Sequence, residues 1–220
     1  MGGETVMKES YGFWFPDYDD HFPKMLAKSI SKDGVARYQW RARDAAINLC
    51  ENKRVCIDIG ANVGLWSCDL VKSFKQVNAF EPVQEFRECF MRNVAEGNYS
   101  LYPMALGSIE SVIEMNIVQG NTGHSHVKPD SMGKGSIPLK QLDSFNFVDV
   151  DMIKIDVEGY EEEILKGAMQ TILINKPVLV IEQQKHEYKN DMASLPCIKI
   201  LESWGYKVVD QYNKDWILKI

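Results

Sequence analysis

The stretch Arg54-Val-Cys-Ile-Asp-Ile59, running into Gly60-Ala-Asn-Val-Gly64, constrains this chain more than any other part of it. An apolar run broken by a single acid reads as a short buried strand. It stops at a glycine, and helical spacing predicts a helix from about Val63 to Phe74. The same order then repeats. Gln76–Phe80 reads as a second strand, and Pro82 opens a helix at its favoured early position. Val83, Phe86, Phe90 and Val94 carry the helical spacing there, and a third strand is expected from Ser100 to Ala105. Asp151–Asp156 and Pro177–Ile181 read as the fourth and fifth strands. Between them Ile164, Leu165, Ala168, Met169, Ile172 and Leu173 mark one face of a single helix. A helix from Ser194 to Ser203 should stop at Gly205. Tyr206–Gln211 and Trp216–Ile220 close the chain as a hairpin. Strands that are nearly all apolar, alternating with helices, imply a parallel sheet covered on both faces. The terminal hairpin forces one antiparallel strand into it. The expected fold is a Rossmann-like, doubly wound, mostly parallel α/β sheet.

Two regions stand outside this alternation. Residues 1–40 are read as a cap or lid segment, because Tyr11–Pro23 is dense in aromatics, acids and prolines without a clean period. One short helix is expected after Pro23. The segment could simply cover the core, or close over a ring-containing ligand. Residues 41–220 form the main domain, although Val35, Tyr38, Ala42, Ala45, Ala46 and Leu49 already share a helical face. Residues 107–140 alternate without helical period and read as strands and turns.

In a doubly wound sheet a nucleotide-like ligand docks where the first strand meets its helix. Gly60 would let the backbone approach it, and a helix starting at Val63 would offer free N–H groups. The spacing Asp58-x-Gly60-x-x-x-Gly64 departs from the dinucleotide pattern G-x-G-x-x-G. An acid stands where that pattern has its first glycine. It would repel a pyrophosphate but suits an ammonium group. Glu81 follows 21 residues after Gly60, at the end of the second strand, where an acid fits ribose hydroxyls. Together these acids favour a cationic nucleoside bearing an amino acid, and S-adenosylmethionine is such a ligand. Without a ligand, the same residues would form only a strand–turn–helix with a solvated acid.

With these residues the sequence resembles the FkbM family of class I S-adenosylmethionine-dependent methyltransferases. The resemblance lies in Val55–Gly64, Phe80-Glu-Pro82, Met104-Ala-Leu-Gly107 and Ile137-Pro-Leu-x-x-Leu-Asp143. It continues through Ile153-Lys-Ile-Asp-Val-Glu-Gly-Tyr-Glu161, Leu165-Lys-Gly-Ala168 and Pro177–Glu182, and covers about residues 40–185. It implies a seven-stranded sheet with the last strand antiparallel, and methyl transfer, usually to a hydroxyl oxygen. It also implies that Gly60, Ala61 and Asn62 line the methionine end of the donor with Asp58 near it. Glu81, beside Pro82, would bind the ribose, and Met104 and Ala105 would border the adenine.

Asp156 and Glu158 follow the fourth strand, beside the expected donor site. Asp156 is the first choice for orienting or deprotonating a hydroxyl acceptor, a role worth about 10²–10⁴-fold in rate. Either acid could instead cap the next helix. Lys154 receives no role. In Gly120-Asn-Thr-Gly-His-Ser-His126, His126 or His124 could act as a base or, with Asn121, read the acceptor. The H-x-H spacing could also hold two metal ligands, but no matching acid is evident and no metal is assigned. A structural loop would explain these residues equally. Glu182 ends the fifth strand and could bind the acceptor or stand solvated. Tyr38, Gln39 and Trp40 suit either a pocket wall or a helix start.

The charge balance is 25 Lys and Arg against 31 Asp and Glu, a net −6, which gives no bulk attraction to nucleic acid. No apolar run is long enough to span a membrane, and no signal segment or myristoylation pattern opens the sequence. The five cysteines lack a C-x-x-C and read as buried reduced thiols, so a cytoplasmic protein is expected. The expected activity is O-methylation of a small-molecule or glycan acceptor; sugars, polyketides, peptides and lipid-linked glycans all fit. A donor-binding module without catalysis and a nicotinamide oxidoreductase are the competing readings.

Overall fold

The computed structural model describes residues 5–183 and 195–220. Residues 1–4, read above for a leader, and Ser194, the expected start of the last helix, lie outside them. The chain opens with a hairpin of β1 (Met7–Ser10) and β2 (Phe13–Pro16), followed by α1 (His21–Lys28) and α2 (Trp40–Leu49). Then come β3 (Val55–Ile59), α3 (Ser67–Ser73), β4 (Gln76–Phe80), α4 (Gln84–Asn93) and β5 (Tyr99–Tyr102). Five short strands follow: β6 (Ala105–Leu106), β7 (Ser111–Ile113), β8 (Met115–Asn116), β9 (His126–Val127) and β10 (Ile137–Lys140). The last part runs β11 (Val150–Ile155), α5 (Glu161–Gly167), α6 (Met169–Asn175), β12 (Val178–Glu182), α7 (Pro196–Ser203), β13 (Lys207–Tyr212) and β14 (Asp215–Lys219).

Seven strands form the main sheet in the order β13-β14-β12-β11-β3-β4-β5. β14, last in sequence, is antiparallel to both neighbours, while β12, β11, β3, β4 and β5 pair in parallel. Central strands are buried on both faces, which explains their nearly unbroken apolar sequence. The short strands β6, β10 and β7 form a small sheet beside it, and β8 pairs with β9. Cys50, Cys56, Cys68, Cys89 and Cys197 are all free and buried. No helix among the described residues is long and apolar enough to cross a membrane.

Several expected boundaries move, each for a local reason. The helix expected from Val35 begins only at Trp40, because Gln39 has φ 43°. The helix expected from Val63 begins at Ser67, since Gly64 turns the chain at φ 88°. The single helix read across Ile164–Leu173 is two, α5 and α6. A Cβ on Gly167, at their junction, would lie 1.9 Å from the Gly107 carbonyl oxygen. Asp143 then accepts the N–H groups of Gln170 and Thr171 and so starts α6 afresh. The expected third strand is split, with β5 in the main sheet and β6 paired to β10.

The N-terminal segment differs most from its expected irregular form. Its hairpin turns at Tyr11-Gly12, both at positive φ (54° and 80°), a two-residue turn that matches strand twist. Its helix starts at His21, ahead of Pro23, with Asp19 accepting the N–H groups of His21 and Phe22. Phe15, Phe22 and Leu26 are buried in one cluster with Val63, Leu65, Val83 and Phe86. Asn93 of α4 fastens the hairpin by exchanging hydrogen bonds with the backbone of Trp14, and it also donates to the Val63 carbonyl. The N-terminal segment is thus packed against α4 and against Val63 and Leu65 of the Gly60 turn.

Candidate active site

A cavity of about 430 Å³ opens beyond the carboxyl ends of β3, β4, β11 and β12. That is where ligands bind in open α/β sheets. Gly60, Ala61 and Asn62 line it, with Glu81, Pro82, Met104 and Ala105 around one part. Asp156, Glu158 and Glu182 line it too, as do His124, Tyr38 and Gln39. Five residues named from the sequence do not: Asp58, Gly64, Asn121 and His126 are absent from the wall, and so is Trp40, which opens α2.

The first four absences each have a physical cause. Asp58 is fully buried beneath the turn, where it accepts a hydrogen bond from Ser67 Oγ at 2.7 Å and faces Lys154. It therefore supports the turn from below. Gly64 faces α4, since a Cβ there would come within 2.9 Å of Phe90 and Val94. His126 turns outward; its Nδ1 donates to the His124 carbonyl at 2.9 Å, and its Nε2 lies 3.3 Å from Asn116. His126 is withdrawn as a catalytic candidate on that geometry. Asn121 caps the single turn Thr122–His124, and its Oδ1 is buried without a partner. Among the described residues the histidines join no metal-spaced group.

The turn itself also corrects an expectation. Gly60 has φ 76°, and a Cβ there would lie 1.9 Å from the Asp156 carbonyl oxygen. What the missing side chain makes room for is the neighbouring strand end. The N–H groups expected to be free at the helix start are used: that of Val63 donates to Asn62 Oδ1 at 2.8 Å and that of Gly64 to the Ala61 carbonyl at 2.9 Å. Those of Gly60 and Ala61 donate to the Phe80 carbonyl, and that of Asn62 to Glu81 at 2.8 Å. Glu81 also accepts the Val83 N–H at 2.8 Å. Burial pushes its pKa up to about 7 against these bonds. Each of its carboxylate oxygens keeps a second lone pair for a hydroxyl.

A chain of hydrogen bonds ties the cap to this turn. Asn62 donates to the Thr122 carbonyl at 3.1 Å, and Thr122 Oγ1 donates to the fully buried Asp19, which starts α1. His21, Phe22 and Met25 of α1 then line the cavity. The lid reading of the aromatic segment therefore has a contact to rest on.

The acidic side of the cavity is built from three strand ends. Asp156 follows β11, Glu182 ends β12, and Asp215 opens β14, paired in register with Glu182. Asp156, Glu158 and Glu182 each present a carboxylate oxygen within 4.8 Å of the others. Burial would raise the pKa of Asp156, but Lys154 beside it, with Nζ 3.5 Å from Oδ2, holds it below the usual range. Glu182 moves the other way, up to about 10, through burial and then through the charge of Asp156. Lys214 at 3.1 Å opposes that rise without cancelling it. The two carboxyls are thus pushed in opposite directions, Asp156 toward its charged form and Glu182 toward its neutral one. Asp215 is pushed up to about 7 by burial and by Asp156. Lys154 and Lys214 supply the positive charge here, and no metal is assigned to the cluster. The acid that receives N–H groups in the turn before α5, from Val157 and Gly159, is Glu161.

Sequence reasoning missed Lys154, Lys214 and Asp215. Lys154 carried a usable signal, because a lysine within a strand buried on both faces must have partners. The other two reach the site only through the antiparallel pairing of β14, which no local pattern announces.

A family model described as the methyltransferase FkbM domain matches residues 58–208. The structure of the FkbM methyltransferase from Methylobacillus flagellatus superposes with a TM-score of 0.55 at 18% identity, covering 77% of this chain. The chain spans 44% of the length of that protein. Weaker likeness extends to a precorrin-6y C5,15-methyltransferase from Geobacter metallireducens, with a TM-score of 0.48, 15% identity, and 86% and 95% of the two chains covered. SMU.1697c, a methyltransferase from Streptococcus mutans solved with S-adenosylhomocysteine, gives a TM-score of 0.48 at 13% identity over 84% and 97%. No match is found among curated protein sequences. The nicotinamide oxidoreductase considered above is set aside. With the family model matched over most of its length, this chain belongs to the FkbM methyltransferase family.

Proposed function

We propose that the protein transfers a methyl group from S-adenosylmethionine to a hydroxyl of a small-molecule or glycan acceptor. The observation that carries this reading is the placement of Asp156, which lies 3.5 Å from the Lys154 ammonium and lines the cavity one strand away from the Gly60 turn. The donor brings an activated methyl on a sulfonium and leaves as a neutral thioether. The residues present fit it. Glu81 would hold the ribose hydroxyls with its free lone pairs, and Pro82, Met104 and Ala105 would border the adenine. Gly60, Ala61 and Asn62 would line the methionine end.

The chain's own work is alignment and proton removal. Fixing acceptor and donor in line can be worth about 7–11 kcal/mol. Asp156 would accept the hydroxyl proton as the new oxygen–carbon bond forms. Glu182, pushed toward its protonated form, would donate its hydrogen bond to Asp156 and hold that carboxylate in place. Glu158 and His124 line the same space and would contact the acceptor. His21 faces His124 with ring centroids 5.9 Å apart, so α1 would form the outer wall of the acceptor pocket.

The test is a panel of hydroxylated sugars, polyketides, peptides and lipid-linked oligosaccharides incubated with the protein and S-adenosylmethionine. Release of S-adenosylhomocysteine with a methyl ether in the product is expected. Transfer confined to amines or to RNA would contradict the reading.

A further inference from the structure

Lys154 stands in an otherwise apolar strand, between Ile153 and Ile155, and only 4% of it is exposed. A buried ammonium without partners would be very costly. Three oxygens answer it. The Gly60 carbonyl accepts its hydrogen bond at 3.1 Å, Asp58 Oδ1 lies at 3.4 Å and Asp156 Oδ2 at 3.5 Å. The Trp66 ring closes another side, 5.8 Å from Nζ to its centroid. These partners belong to different working parts. Gly60 begins the turn assigned to the donor, and Asp156 is the acid assigned to the acceptor. Two further contacts draw the same pieces together: the Asp156 N–H donates to the Ile59 carbonyl at 3.2 Å, and the Asp156 carbonyl fills the place of a Gly60 side chain.

We propose that Lys154 is a positioning residue whose ammonium joins the donor turn, through the Gly60 carbonyl, to the acceptor base Asp156, so that the two are held as one unit. The meaning of the two ends rests on the methyltransferase reading. Burial works against the ammonium, but Asp58, Asp156 and Asp215 outweigh it and keep it charged. Cys56 of β3 and Glu81 after β4 also feel this charge. On its far side Asp156 faces Glu182 of β12 and Lys214 of the β13–β14 turn. Without the ammonium, Asp156 keeps its burial and its acidic neighbour and loses its main opposing charge. Its ionisation should then move to higher pH.

The test needs no acceptor. Aspartate carboxyl carbons are labelled with carbon-13, and the Asp156 signal is identified by its loss in Asp156→Asn. Wild type, Lys154→Met, Asp58→Asn and the double variant Asp58→Asn/Lys154→Met are titrated with acid. The double variant removes the charge that Lys154→Met would leave buried, and so guards against unfolding. Without Lys154, relative to the matching lysine-bearing protein, the Asp156 midpoint should rise by about one pH unit or more. Affinity for S-adenosylhomocysteine should fall about 10–100-fold, the worth of a hydrogen bond to a charged group. An unchanged midpoint or an unchanged affinity in a folded variant overturns the proposal. Failure of the wild type itself to bind S-adenosylhomocysteine would overturn the methyltransferase reading instead, and the wild-type titration tells the two failures apart.

Discussion

Replacing Asp156 by Asn should lower turnover by about 10²–10⁴-fold while donor affinity stays within a few-fold. The substitution keeps the shape and removes the proton acceptor. Lys154 remains held by Asp58 at 3.4 Å and by the Gly60 carbonyl at 3.1 Å, so the donor turn keeps its support. Glu182 should respond as well. Its pKa is raised by burial and then by the neighbouring charge of Asp156, so removing that charge lowers it. Any residual activity should therefore rise with pH as Glu182 ionises. Steady-state rates on an acceptor found by the panel, with donor binding measured separately, check this. Near-normal turnover in the variant would remove Asp156 as the base.

Gly60→Ala should be among the most damaging single changes in the chain. The new methyl would sit 1.9 Å from the Asp156 carbonyl oxygen, a backbone atom that cannot swing aside, and the residue would keep φ 76°. The left-handed conformation costs an alanine about 1–2 kcal/mol, and forced overpacking adds about 1–3 kcal/mol. Gly205→Ala is the control. It shares a positive φ of 94° but has nothing within 4 Å of its Cβ, so only the conformational cost applies. Denaturant unfolding should show Gly60→Ala as clearly the more destabilised, with weakened donor binding in whatever remains folded. Equal losses in the two variants would mean that the strand end and the turn are not in the close contact described.

The sheet was legible because its central strands are buried on both faces and so read as apolar runs, each followed by a turn and a helix. The family stretches have identifiable structural work. Asp143 starts α6, Glu161 fastens the turn after β11, and Gly167 lets α5 approach the Gly107 carbonyl. Asp58 was located, but its partners Ser67 and Lys154 were not foreseen. A strand's last residues can point up into a site or down into the core, and its burial settles the matter only in three dimensions. Lys154 and Asp58 lie in register on neighbouring strands, and register is a pairing of distant segments that no single window contains. The same holds for Asp215, brought beside Glu182 by β14. The N-terminal hairpin was missed because strands of four residues leave too short an alternation, although Tyr11-Gly12 was a usable turn signal.

The central claim is that the cavity beside Gly60 and Glu81 is the seat of a sulfonium methyl donor. Isothermal titration calorimetry with S-adenosylhomocysteine tests it most directly. Saturable heat is predicted for the wild-type protein, strongly reduced in Glu81→Ala, which removes the carboxylate assigned to the ribose. No heat at millimolar ligand with folded wild-type protein would contradict the account.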